Sequence, residues 1–175
     1  MHSTNVVRGI VETRDAIIDI APPPDSARTR RATNLTEEEF LRGLDAIRPG
    51  TSERLLELVE RGEDIGLHSE VKKSLIIKMP WGENYTNILL VRPDGSLDFS
   101  QVWWQRDELG DAVIRRYIET IMETMPGITL NATPTGGNLR MAERPVRIWD
   151  VLDHSDAWLE AVRRFREAVL AKLAA

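Results

Sequence analysis

Two rhythms alternate along the chain. From Phe40 onward, apolar residues first recur at helical spacing, then every second residue, then at helical spacing again. Thr36 followed by Glu39 spells a capping box, with Leu35 and Phe40 placed as a hydrophobic staple around it. Phe40, Leu41, Leu44 and Ile47 continue as one apolar stripe, which Pro49-Gly50 ends. A second helix is predicted from Thr51 or Ser52, carrying Leu55, Leu56, Leu58 and Val59 as far as Gly62. The period then changes to two, and three strands are expected: Val71 to Met79, Tyr85 to Arg92 and Ser96 to Trp104. Pro93-Asp94-Gly95 is the turn of a hairpin, and apolar residues on both faces of the middle run predict a central strand covered on two sides.

A long helix is expected from Asp107, with Val113, Ile114, Tyr117, Ile118, Ile121, Met122 and Met125 on one face and Pro126-Gly127 as its stop. Thr135-Gly136-Gly137-Asn138 reads as a glycine-rich loop, and Val146 to Trp149 as an edge strand. Asp153 is the expected N-cap of a last helix, whose buried stripe is Trp158, Ala161, Val162, Phe165, Val169 and Leu173. The fold class is therefore α+β. A helical pair and an antiparallel meander of three or more strands pack with a long central helix and a C-terminal helix, all within residues 34–175.

Residues 1–33 differ in kind. Val6, Val7, Ile10, Val11, Ile17 and Ile18 suggest a short amphipathic helix. Pro22-Pro23-Pro24 stops it, and a polar, basic stretch reads as a linker. The domain boundary is placed near residue 33.

Composition narrows the function classes. A chain of 175 residues with 42% apolar and 29% charged side chains is a globular protein with a continuous core. No apolar run reaches the roughly 20 residues of a membrane span, and no basic segment leads into an apolar one at the N-terminus. The absence of cysteine removes disulfides and thiol chemistry, and the expected home is the cytoplasm. A net charge of −5 does not indicate a nucleic-acid partner.

Candidate chemistry is sparse. Glu70-Val71-Lys72 at the start of a strand would place carboxylate and ammonium on one face, and with Asp64 as an upstream acid it matches a restriction-type nuclease centre for a divalent cation. Against it, only five residues separate Asp64 from Glu70, and a surface ion pair accounts for the same pattern. Asp153-His154-Ser155-Asp156 resembles a triad written in a line, a geometry that neighbours at a helix start do not adopt. Asp94 and Asp98 flank a tight turn, where aspartate is favoured by backbone bonding alone. No cofactor motif is evident, since the glycine pair lacks the Lys-Ser/Thr of a phosphate loop. Trp103-Trp104 in a strand would send one indole inward with Leu97 and Phe99 and the other outward. Trp104 and Arg106 are then candidate contacts of a ligand, a protein partner or a second copy.

The segments Leu35 to Leu41, Arg54 to Leu58, Pro93 to Leu97, Met125-Pro126-Gly127 and Arg144-Pro145-Val146 resemble a bacterial C-terminal α+β accessory module of larger proteins, some of them linked to nucleic-acid processing or defence. The resemblance implies an accessory domain and supplies no site residues. The reading from sequence is a non-catalytic interaction module with a protein or nucleic-acid partner. A metal-dependent nuclease using Asp64, Glu70 and Lys72 and a small-ligand sensor are the alternatives.

Overall fold

The computed structural model describes residues 35–174, so the expected arm helix, its proline stop and the linker lie outside the described residues. Helix α1 (Glu37–Ile47) opens with the anticipated capping box: the Glu39 amide donates to Thr36 Oγ1 at 3.2 Å, and the Thr36 amide to Glu39 Oε2 at 2.9 Å. These bonds hold the Glu39 carboxyl below its ordinary range. Helix α2 (Thr51–Glu63) starts after Gly50, whose φ of 79° turns the chain, and Asp45 of α1 accepts from the Ser52 amide at 2.9 Å. Phe40, Leu44, Leu55 and Leu58 are buried between the pair and the core, while Ile47 and Leu56 stay exposed.

The first sheet has the order β1-β2-β3-β4, all antiparallel: β1 (His68–Val71), β2 (Leu75–Trp81), β3 (Asn84–Val91) and β4 (Leu97–Asp98). The predicted strand from Val71 is instead two strands. The polar triplet Lys72-Lys73-Ser74 turns the chain, so that Val71 pairs with Leu75. Along β2, Leu75, Ile77, Met79 and Trp81 alternate inward with unbroken period. The two-sided central strand is also corrected. Ile77 pairs with Leu89 and Lys78 with Asn87, leaving Ile88 as an extra residue, a β-bulge. The bulge resets the parity, so Thr86 and Ile88 before it and Leu89 and Val91 after it all reach the core. One face of the sheet is therefore buried, and the other carries Lys78, Tyr85 and Asn87 at positions that are not buried.

After β4 the expected strand gives way to a 3₁₀ helix, Ser100–Gln105. Asp98 Oδ1 accepts from the Ser100 amide at 2.9 Å and its hydroxyl at 2.6 Å, which bends the chain out of the ladder. Helices α3 (Arg106–Leu109) and α4 (Asp111–Thr124) replace the single long helix; Gly110, at φ 87°, separates them. The glycine-rich stretch is likewise a strand. β5 (Ile128–Thr133) and β6 (Gly136–Met141) form a hairpin, with β7 (Arg144–Pro145) beside β6. Leu97 donates to the Val146 carbonyl and Ile148 to that of Gly95, both at 2.8 Å, which ties the two sheets together.

Ile148 begins helix α5 (Ile148–Leu152) rather than extending an edge strand. Asp153 closes that helix and pairs with Arg54 at 2.9 Å, so the N-cap of α6 (Ser155–Leu173) is His154. Helix α6 packs along α4, where Tyr117 and Phe165 stack with centroids 4.5 Å apart. Leu173, assigned to the buried stripe, is exposed near the end of the helix. Among the described residues no helix is long and apolar enough to cross a membrane.

Two glycines admit tryptophans to the backbone. A Cβ on Gly136, at φ +141°, would lie 2.5 Å from Trp103, and one on Gly95, at φ +79°, would lie 2.7 Å from Trp149. Gly127, at φ +85°, has nothing within 4 Å. Gly136→Ala is therefore expected to cost about 2–5 kcal/mol, strain and overlap together, and Gly127→Ala only about 1–2 kcal/mol of backbone strain. Urea unfolding of the two variants measures the difference. Equal losses would show that the Trp103 contact is dispensable.

Candidate functional site

The 3₁₀ helix decides where the two adjacent tryptophans go. Three residues per turn separate neighbours by about 120°, so Trp103 and Trp104 diverge without strand alternation. Trp103 is 4% exposed and Trp104 70%. The expected inside–outside division holds, but its cause is helical. The helix is held from both sides. Asn87 Nδ2 of β3 donates to Gln101 Oε1 at 2.7 Å, the Phe99 amide donates to Asn138 Oδ1 at 2.9 Å, and Arg106 donates to the Thr135 carbonyl of the β5–β6 turn. Arg106 thus clamps a turn.

Between β3 and the 3₁₀ helix lies a cleft of about 350 Å³, lined by Glu83, Asn84, Tyr85, Asn87, Gln101, Trp104 and Gln105. Its lining is two aromatic rings, four primary amides and one carboxylate. Tyr85 is 53% exposed, and Asn87 Oδ1 is buried with no partner among the described residues. Sequence reasoning reached only Trp104. Tyr85, Asn87 and Gln101 fall within the predicted strands and Glu83, Asn84 and Gln105 outside them, and the one legible signal is the amides at 101 and 105 flanking an aromatic pair.

Glu70 and Lys72, expected on one strand, meet instead across the β1–β2 turn. Lys72 pairs with Glu70 Oε1 and Lys78 with Oε2, so the carboxylate is engaged on both oxygens. Lys72 first and Lys78 second lower the Glu70 pKa to about 2, and the same contact raises that of Lys72. Lys78 Nζ also sits 4.6 Å from the Tyr85 ring centroid. The chain Glu70–Lys78–Tyr85 therefore ends at the cleft, and the ion pair positions an aromatic wall.

Asp64 is elsewhere. It lies at the C-terminal end of α2 and lines a separate groove with Arg61, Ile65, Asp156, Leu159, Glu160 and Arg163. That lining contains neither Glu70 nor Lys72. Among the described residues no group of three or more His, Asp or Glu side chains is placed to hold a metal ion. Asp94 Oδ1 accepts from the Ser96 amide at 2.9 Å and its hydroxyl at 2.6 Å, the local backbone role expected of it.

Comparison of the chain with protein-family models, with curated proteins and with solved structures yields no match. The functional reading rests on the geometry.

The Glu70 contacts have a pH signature. A folded-state pKa near 2 against an ordinary 4.5 makes the contribution of the carboxylate complete above about pH 5 and progressively lost as pH falls from 4.5 toward 2. NMR titration of the Glu70 carboxyl is expected to give a midpoint near 2. The doubly substituted Lys72→Met, Lys78→Met protein should return it toward 4.5. A wild-type midpoint near 4.5 would mean that neither lysine holds it in solution.

Proposed function

We propose that this chain is a non-catalytic recognition module that binds a ligand in the Trp104–Tyr85 cleft. The supporting observation is the placement of Trp104, a large aromatic side chain left 70% exposed on a helix that both sheets anchor. An exposed indole forgoes burial worth about 1.5–3 kcal/mol for a large apolar side chain, so its place at the mouth of a cleft favours contact with something outside the fold. Tyr85 faces the same cleft and is steadied by Lys78. Rigid support of this kind is what a recognition surface needs. The lining holds no cation, which counts against a nucleic-acid or other phosphate ligand.

Trp104→Ala is expected to change stability by less than about 0.5 kcal/mol, whereas Trp103→Ala should cost about 3–5 kcal/mol. Thermal melts of the two variants check this. Ligand-observed NMR of the full chain against a fragment library should give hits that Trp104→Ala removes. Hits indifferent to both Trp104→Ala and Tyr85→Ala would overturn the cleft as the binding surface. Divalent-cation-dependent cleavage of DNA or RNA, abolished by the Glu70→Ala, Lys72→Ala double substitution, would overturn the non-catalytic reading.

A further inference from the structure

We infer that the cleft takes a neutral saccharide, as one or two sugar units of a free or chain-linked glycan; this rests on reading the cleft as the binding surface. Two features of the lining select that chemistry. The exposed large apolar side chains among the described residues include two aromatics, Tyr85 and Trp104, and both line this one cleft. The C–H faces of a pyranose ring carry slightly positive hydrogens, which match the negative face of an aromatic ring. The polar remainder is Asn84, Asn87, Gln101, Gln105 and Glu83. Each primary amide both donates and accepts, as each sugar hydroxyl does.

The alternatives fit less well. No aliphatic side chain lines the cleft, so a lipid or the apolar face of a partner helix finds no matching wall. A phosphate or carboxylate ligand finds no cation in the lining, and Glu83 repels it. Lys78, on the Tyr85 ring, is already paired with Glu70. The volume of about 350 Å³ lies at the lower end of small-ligand sites, roughly 300–1,000 Å³, which suits a mono- or disaccharide unit.

The test is a glycan array probed with the full chain, followed by calorimetry on the oligosaccharides retained. Neutral oligomers of glucose, mannose, galactose and N-acetylglucosamine are set against a polyuronate and oligo-dT. At least one neutral oligomer is expected to bind and to quench tryptophan fluorescence. Trp104→Ala should weaken that binding about tenfold or more, about 1.4 kcal/mol, and Trp104→Phe less, with melting temperatures unchanged. Preference for the anionic polyuronate, or binding of oligo-dT alone through Trp104, would overturn the neutral saccharide while leaving the cleft as a binding surface. Failure of every neutral oligomer at millimolar concentration would also overturn the saccharide. Saccharide binding indifferent to Trp104→Ala and Tyr85→Ala would overturn the cleft itself.

Discussion

The contact of Trp103 with the backbone at Gly136 is the constraint on which the rest of the arrangement depends. An indole can lie that close to a strand only where no Cβ intervenes. Once seated, Trp103 fixes the 3₁₀ helix against the second hairpin, and Arg106 and Asn138 add polar contacts to the same hairpin. The rotation of the helix then leaves Trp104 no position inside. Its exposure follows from the burial of its neighbour, since about 120° of rotation separates them.

The first sheet meets this helix with its other face. The bulge at Ile88 brings Thr86, Ile88, Leu89 and Val91 inward, and a buried bond from Trp81 Nε1 to Thr86 Oγ1, at 3.1 Å, satisfies the one polar side chain of that set. What remains outside is Lys78, Tyr85 and Asn87, which is why the cleft is aromatic and polar rather than aliphatic. The Glu70–Lys78 pair acts on this outer face. Exposed ion pairs add little to stability. This one sits where its geometry orients Tyr85.

Part of this was legible in the chain. The capping box at Thr36, the turn at Pro93-Asp94-Gly95 and the stripes of α2, α4 and α6 are local: each is specified by residues within one or two turns of one another, and local bonding and periodicity suffice to form them. The strand β5, with Ile128 buried and Leu130 partly so, is not among the elements expected from the sequence, since the glycines beyond it suggested a loop. The turn at Lys72-Lys73-Ser74 was masked by apolar residues on either side.

The sequence by itself determined the α+β class and the bounds of α1 and α2, while the burial of Trp103 as against Trp104, expected from strand alternation, comes instead from the 3₁₀ helix. Tertiary structure alone decided the cleft and the company of Glu70. The cleft residues come from the β2–β3 turn, from β3 and from a helix beyond the β3–β4 turn, and the bulge and the Asp98 bend bring Asn87 and Gln101 to 2.7 Å. The Gly136–Trp103 contact joins residues far apart in the chain, and neither residue marks the other. Asp64 and Glu70 show the converse, close in sequence yet on different elements, because α2 ends and β1 begins between them. Spacing along a chain reports which residues share a helix face or a strand face. Which faces meet depends on turns and bulges that shift every later side chain at once.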